Sequence, residues 1–141
     1  MRRLEVWLLH LANLAVAGTG LVYAWMRYVS TPADPFSVVG SPWQPTVQHL
    51  HVLFAPALVL ALGMVLRPHA ATALQLGLRS GRRSGLTILA TAAPMIASGY
   101  LLQTATEPAW RRAWIAVHLA ASALWLLGYA VHQVAAWRRD H

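Results

Sequence analysis

The chain contains no cysteine and no lysine, and only four of its 141 residues are acidic. The absence of cysteine excludes disulfides, covalently attached c-type haem, iron–sulfur clusters and thiolate metal sites. All the positive charge comes from eleven arginines, which give a formal net charge of +7. A metal or cofactor would therefore be held mainly by histidine, of which the chain has seven.

Charged residues as a whole are also scarce. They make up 11% of the chain, whereas soluble domains contain about 25%. Hydrophobic residues make up 57%, which predicts one integral membrane domain over residues 1–141, in contact with the lipid bilayer. A basic chain can indicate a nucleic-acid partner, but here the arginines flank apolar runs. Membrane topology explains them, and no nucleic-acid partner is expected.

Four apolar stretches are each close to the length of about 20 residues that an α-helix needs to cross a bilayer. They predict an all-α fold, an integral membrane up-down four-helix bundle with spans at about 4–29, 47–66, 86–103 and 111–137. Pro56 is expected to kink the second span. Arg67 and Pro68 are expected to end it, and the basic segment that follows is expected to form a short interfacial helix.

The arginines predict the orientation of the spans, because cytoplasmic loops carry an excess of positive charge. With the N-terminus inside, three arginines lie outside: Arg27, Arg111 and Arg112. Eight lie inside: Arg2, Arg3, Arg67, Arg79, Arg82, Arg83, Arg138 and Arg139. Both termini are therefore expected to be cytoplasmic.

Histidines inside membrane spans are costly unless they face the protein interior and have partners. His118 and His132 are 14 residues apart in the fourth span. At about 100° and 1.5 Å per residue, they lie on nearly the same helix face and about 21 Å apart. Counting from the predicted span ends places His10 at the level of His132, near the inner surface, and His51 at the level of His118, near the outer surface.

The second span offers two histidines for the outer level. His49 and His51 are about 200° apart on a helix, so only one of them can face a given ligand. His51 is deeper and matches His118 better. His49 remains the alternative ligand, or else an interface residue, a propionate partner or part of a quinone site.

Two matched histidine pairs suit haem iron, which takes two axial ligands on opposite faces of the macrocycle. The hypothesis is two bis-histidine b haems: an outer one on His51 and His118 and an inner one on His10 and His132. Glycines 18, 20 and 99 are expected to let a ring approach the helix backbone closely. Arginines at both surfaces are candidate partners for the haem propionates, namely Arg27, Arg111 and Arg112 outside and Arg82 and Arg83 inside.

The histidine pattern resembles the dihaem cytochrome b subunits of membrane formate dehydrogenases and, more broadly, the bacterial cytochrome b561-like superfamily. One histidine lies near the start of the first span, one near the start of the second, none in the third and two in the fourth. The local sequences Leu50–Phe54 and Ser98–Leu102 add to the resemblance.

The resemblance implies a protein of the bacterial inner membrane with the same assignment of the four histidines to two haems. It implies a quinone site near one haem and a periplasmic partner, a cytochrome c or an oxidoreductase subunit, near the other. The expected function is electron transfer between the quinone pool and that partner, as the electron-transfer subunit of a membrane oxidoreductase complex.

Three alternatives remain. The first is a standalone cytochrome b561-type quinone reductase that takes electrons from a diffusible donor. The second is a haem-free assembly or interaction subunit, whose histidines bridge helices or bind a transition metal. The third is a small transporter, which is disfavoured because proton and cation pathways usually use intramembrane carboxylates. The four acids here lie at span ends or in loops: Glu5, Asp34, Glu107 and Asp140.

Overall fold

The chain is helical throughout its long apolar segments. The computed structural model describes residues 3–32, 36, 37, 39–77 and 81–140, with only the backbone of residues 139 and 140. The helices are α1 (Arg3–Tyr28), α2 (Gln44–Val65), a π-helical turn (Leu66–Ala71), α3 (Thr72–Gln75), α4 (Arg82–Thr104) and α5 (Pro108–Asp140). No strand occurs in these described ranges, and the predicted all-α class is confirmed.

Four helical segments are long and apolar enough to cross a membrane. They are Arg3–Tyr28, Gln44–Gln75, Arg82–Thr104 and Pro108–Arg138. Many large apolar side chains on these helices are exposed, among them Leu14, Leu53 and Leu127. Such surface suits contact with lipid and would be unfavourable in water. The prediction of a multi-pass membrane protein with four spans is confirmed by the length and composition of these helices.

The predicted end of the second span is wrong. Arg67 and Pro68 do not stop the helix, because they lie within the π-helical turn that continues α2 into α3. Proline cannot donate the usual helical hydrogen bond, and its ring clashes with the carbonyl four residues earlier. Here Pro68 lies inside a π-helical turn, and the helix continues through it. The expected short helix is therefore a continuation of the second span, and it ends before Gly77, which has a positive φ of 65°.

The helices form two compact units, Met1–Thr72 and Ala73–His141. In unit 1, α1 packs against α2. The buried positions of α2 include Gln44, Leu58 and Val65, whose spacing is a multiple of seven residues. A seven-residue period keeps one seam of a helix facing its neighbour. His51 occupies the same seam, because it is seven residues from both Gln44 and Leu58.

The connection between α1 and α2 folds tightly against the end of α1. A Cβ at Gly40 would overlap the carbonyl oxygen of Met26. The Gly40 N–H donates to the side-chain oxygen of Gln44 at 3.1 Å, and the Ser30 hydroxyl donates to the Gly40 carbonyl at 3.2 Å. Only glycine fits this approach, and the bonds fix where α2 begins relative to α1.

In unit 2, α4 packs against α5 along a seam that combines small and polar residues with Met95 and Trp125. The seam of α4 contains Ser84, Thr91, Met95 and Ser98, and that of α5 contains His118, Ala121, Trp125, Gly128 and His132. The alternating three- and four-residue spacing is that of knobs-into-holes packing. At Gly128 a Cβ would lie 3.3 Å from the Cγ2 of Thr87. Small residues at a membrane helix seam let two backbones approach closely.

The start of α5 is fixed by a carboxylate. Glu107 accepts hydrogen bonds from the backbone N–H of Ala109 at 3.1 Å and of Trp110 at 2.8 Å. These donors belong to the first helical turn, where no carbonyl of the helix itself is available. The two bonds hold the pKa of Glu107 below its usual range. Pro108 follows as the first helical residue, a position that suits proline.

Candidate functional site

His51 is held against α1 through one ring nitrogen. Its Nδ1 lies 3.0 Å from the carbonyl oxygen of Val16 and 3.3 Å from the hydroxyl oxygen of Thr19. The ring also lies directly on the backbone at Gly20, where a Cβ would be 2.9 Å from His51 Cε1. The side chain is half-buried.

These partners determine which nitrogen of His51 carries the proton. A carbonyl oxygen can only accept, so Nδ1 must be the donor to Val16. The Thr19 hydroxyl has one proton, which it directs at the carbonyl of Ala15 at 2.7 Å. Its oxygen is left to accept from His51. A neutral His51 therefore carries its proton on Nδ1 and has its lone pair on Nε2, the form that binds a metal through Nε2.

His118 has the same arrangement in unit 2. Its Nδ1 lies 3.1 Å from the carbonyl oxygen of Met95 and 3.2 Å from the hydroxyl oxygen of Ser98. The Ser98 hydroxyl donates to the carbonyl of Pro94, so its oxygen accepts from the imidazole. Next to it, a Cβ at Gly99 would be 3.2 Å from His118 Cε1. His118 is thus also an Nδ1–H tautomer with its lone pair on Nε2.

His132 repeats the arrangement near the start of α4. Its Nδ1 lies 3.1 Å from the hydroxyl oxygen of Ser84, which itself donates to the carbonyl of Gly81 at 3.0 Å. A Cβ at the neighbouring Gly85 would lie 3.6 Å from His132 Cε1, in ordinary contact. With the Ser84 proton directed at the Gly81 carbonyl, the Ser84 oxygen would accept from Nδ1 of His132.

Three histidines therefore share one local arrangement, which we call the hydroxyl–glycine seat. Each seat is a hydroxyl residue followed by glycine on the helix that faces the histidine: Thr19-Gly20 for His51, Ser84-Gly85 for His132 and Ser98-Gly99 for His118. In each seat the hydroxyl oxygen lies within hydrogen-bond distance of Nδ1, and the ring packs on the glycine.

His10 has different surroundings. It is half-buried, and its ring makes an edge-to-face contact with Trp7 at a centroid distance of 6.4 Å. Asn13, one turn further along α1, is buried. No hydroxyl–glycine seat faces His10 from α2, because α2 has no serine or threonine after Thr46.

The other histidines lie elsewhere. His49 is exposed and is off the seam that holds His51, which favours His51 as the residue that faces the helix pair. His69 is exposed in the π-helical turn. His141 lies outside the described residues.

The candidate arginines are exposed at the helix ends. Arg82 and Arg83 immediately precede Ser84, so they lie at the level of His132. The Arg111 guanidinium donates to the carbonyl of Leu102 at 3.1 Å, which ties the start of α5 to the end of α4. The remaining candidates, Arg27 and Arg112, are exposed. Of the arginines used to predict orientation, Arg2 and Arg79 lie outside the described residues, as does the side chain of Arg139.

Each predicted haem pair takes one histidine from each unit, and both pairings stay predictions. Within unit 1, His10 is nine residues from Thr19, which is about 13 Å along α1. The His10 and His51 side chains lean toward opposite helix ends, which lengthens their separation. Within unit 2, both helices advance 14 residues between the two seats, about 21 Å.

The donor set suits haem better than a metal ion bound by side chains alone. In the described part of the chain, no three residues of the His, Cys, Asp and Glu types come together as a cluster. A porphyrin supplies four nitrogens itself and needs one axial imidazole on each face. Neutral histidines with Nδ1 bound to an oxygen are the usual form of such ligands. The residues present fit haem in this respect.

Sequence reasoning did not find the seats. It expected the close approach at Gly20 and Gly99 to serve a haem, whereas the ring that lies there is that of a histidine. Gly18 has open space around the position of a Cβ. One signal was available: the Ser-Gly pairs at 84 and 98 are 14 residues apart, as are His118 and His132.

Comparisons with known proteins do not assign this chain to a family. No family model, curated protein or solved structure matches it. Its function therefore has to be argued from its own residues.

Proposed function

We propose that the protein is a dihaem b-type membrane cytochrome that transfers electrons between the membrane quinone pool and a periplasmic redox partner. The observation that carries the proposal is the hydrogen bonding of three membrane histidines through Nδ1. His51 and His118 lie 3.0 and 3.1 Å from a backbone carbonyl oxygen, and His132 lies 3.1 Å from the Ser84 hydroxyl oxygen. In a neutral histidine with its proton on Nδ1, the lone pair on Nε2 is the one that binds iron.

The outer haem would take His51 and His118, and the inner haem would take His10 and His132. His51, His118 and His132 are each held by a seat, and His10 packs edge-to-face on Trp7.

The flanking charges support an orientation with both termini in the cytoplasm of a bacterium. Arg82 and Arg83 would then lie near the inner surface at the level of His132, as propionate partners of the inner haem. Arg27, Arg111 and Arg112 would serve the outer haem. The quinone–quinol couple exchanges two electrons and two protons, and each haem passes one electron at a time.

Haem stoichiometry is the test of this proposal. The purified protein should show two b haems per chain in a pyridine haemochrome assay and a reduced-minus-oxidised spectrum. Alanine at His51 or His118 should remove one haem, and alanine at His10 or His132 should remove the other. A well-folded wild-type preparation that binds no haem when supplied with haem would overturn the proposal.

A second candidate is a haem-free interaction subunit in which the histidines bridge helices. It is favoured by the same hydrogen bonds, because each seat joins two helices of one unit. Such bonds contribute about 1 kcal/mol each in membrane proteins. The two candidates differ in haem content, so the stoichiometry measurement separates them.

A further inference from the structure

We propose that the hydroxyls of Thr19, Ser84 and Ser98 are positioning residues that set the reduction potentials of the haems. This inference rests on the proposed function and concerns residues that do not touch the iron. Each hydroxyl oxygen lies within hydrogen-bond distance of Nδ1 of a proposed ligand histidine, at 3.3, 3.1 and 3.2 Å respectively. With the histidine proton on Nδ1, the hydroxyl oxygen is the acceptor.

The physical link runs through the imidazole. An acceptor on Nδ1–H makes the ring a stronger electron donor through Nε2. A stronger donor stabilises the oxidised iron more than the reduced iron, which lowers the reduction potential. Removing the hydroxyl should therefore raise the potential of the haem that the histidine holds.

The hydroxyls are well suited to this role because each is itself fixed. Thr19 and Ser98 donate to the carbonyl four residues earlier on their own helices, and Ser84 donates to the carbonyl three residues earlier. The hydroxyl proton is thereby directed away from the imidazole, and the oxygen lone pairs face it. Rotation of the hydroxyl would break its own bond, so the acceptor stays in place in both oxidation states.

In two of the three seats, Nδ1 has a second acceptor besides the hydroxyl. This acceptor holds the tautomer when the hydroxyl is removed, so the effect of the hydroxyl can be measured by itself. The carbonyls of Val16 and Met95 also accept from His51 and His118. In Thr19→Val and Ser98→Ala these carbonyls remain and keep the proton on Nδ1. A change in potential then reports the loss of the hydroxyl alone.

Thr91 provides a matched control. It lies on the α4 seam seven residues from both Ser84 and Ser98, is 8% exposed, and its hydroxyl donates to the carbonyl of Thr87 at 2.8 Å. Thr19 makes the equivalent bond to Ala15 at 2.7 Å. Thr91→Val and Thr19→Val thus remove the same hydroxyl and the same bond within a helix. Only the second removes an acceptor from a ligand histidine.

The experiment is a potentiometric titration of haem-loaded wild type, Thr19→Val, Thr19→Ser, Ser98→Ala, Ser84→Ala and Thr91→Val. Haem content and the low-temperature EPR spectrum of the oxidised protein are measured alongside. We expect Thr19→Val and Ser98→Ala to raise the potential of the same haem, and Ser84→Ala to raise that of the other. Thr19→Ser should restore the wild-type value, and Thr91→Val should leave both potentials unchanged.

The outcomes separate this inference from the proposed function. Wild type without haem would overturn both. If wild type binds two haems and their potentials are the same in Thr19→Val, Ser98→Ala and Thr91→Val as in wild type, the positioning role alone is overturned. If a seat variant loses its haem, titration of the apoprotein with haem is the second measurement. An affinity about 10- to 100-fold lower than that of Thr91→Val supports the role, and an equal affinity overturns it.

Discussion

The Nδ1 atom of His132 lies 3.1 Å from the hydroxyl oxygen of Ser84, and the same relationship recurs 14 residues away along both helices, between His118 and Ser98. Two antiparallel helices keep such a register only if they pack along a seam with a seven-residue period. The repeat therefore connects the helix packing of unit 2 with the placement of its two histidines.

The choice between His49 and His51 can be tested directly. His51 is half-buried against α1, whereas His49 is exposed and off the seam. We expect His51→Ala to lose the outer haem and His49→Ala to retain both, as measured by pyridine haemochrome on purified protein. Loss of a haem in His49→Ala with retention in His51→Ala would reverse the assignment.

The glycines of the three seats should differ in their tolerance of a methyl group. An added Cβ would lie 2.9 Å from the ring at Gly20, 3.2 Å at Gly99 and 3.6 Å at Gly85. We expect haem affinity and thermal stability to fall most in Gly20→Ala, less in Gly99→Ala and least in Gly85→Ala. Overpacking of this kind costs about 1–3 kcal/mol.

Gly18→Ala is the matched control for this series, because nothing lies within 4 Å of its added Cβ. In a helix interior it should be neutral or stabilising, by about 0.5–1 kcal/mol. Thermal unfolding in detergent, followed by circular dichroism, gives the order. Equal stability of Gly18→Ala and Gly20→Ala would show that the ring at Gly20 moves aside freely.

The connection between α1 and α2 should be sensitive at Gly40. A methyl group there would overlap the Met26 carbonyl, and a backbone group cannot rotate away as a side chain can. We expect Gly40→Ala to destabilise the protein by about 3 kcal/mol, the upper end of overpacking costs. Gly63→Ala, which adds a methyl group in open space, is the control. A chemical unfolding curve for each variant is the measurement.

The start of α5 should depend on pH through Glu107. The backbone N–H groups of Trp110 and Ala109 hold the pKa of its carboxyl below the usual range. A carboxyl with a lowered folded-state pKa stabilises the fold above its unfolded pKa, and this contribution is lost as the pH falls through the folded-state value. The contribution should be complete at neutral pH and absent in strong acid.

Glu107→Gln isolates this effect. The variant should be less stable than wild type at pH 7 and should approach it as the pH is lowered into the acid range. Thermal unfolding between pH 7 and pH 3 gives the comparison. A stability difference that stays constant over this range would mean that the carboxylate charge does not stabilise the helix start.

The spans and the histidine positions were predictable because both depend on local sequence. Hydropathy over about 20 residues predicts a membrane helix, and a spacing of 14 residues fixes two histidines on one face. The prediction that the second span ends at Pro68 was wrong because a proline usually ends a helix. The sequence does not reveal that a π-helical turn accommodates this one. The choice of His51 over His49 was made from depth, and the seam gives it a separate physical basis.

The seats were not predictable in the same way. Thr19 and His51 are 32 residues apart in sequence, and nothing local to either residue relates them. Their contact depends on the register of α1 against α2, which the connection at Gly40 helps to fix. A serine or threonine in a membrane helix also bonds to its own backbone, so its hydroxyl gives no signal in the sequence of a further role.

His118 and His132 lie on one seam of α5, so this helix sets the distance between them along its axis. The axial distance between their Cα atoms is determined by the number of residues between them in a single helix. One residue inserted between them would lengthen the span by only about 1.5 Å but would turn His132 by about 100° away from Ser84. Seven residues inserted in both α4 and α5 would preserve every contact and move the rings about 10 Å further apart. The number of residues in this hairpin therefore fixes the axial separation of the two histidines.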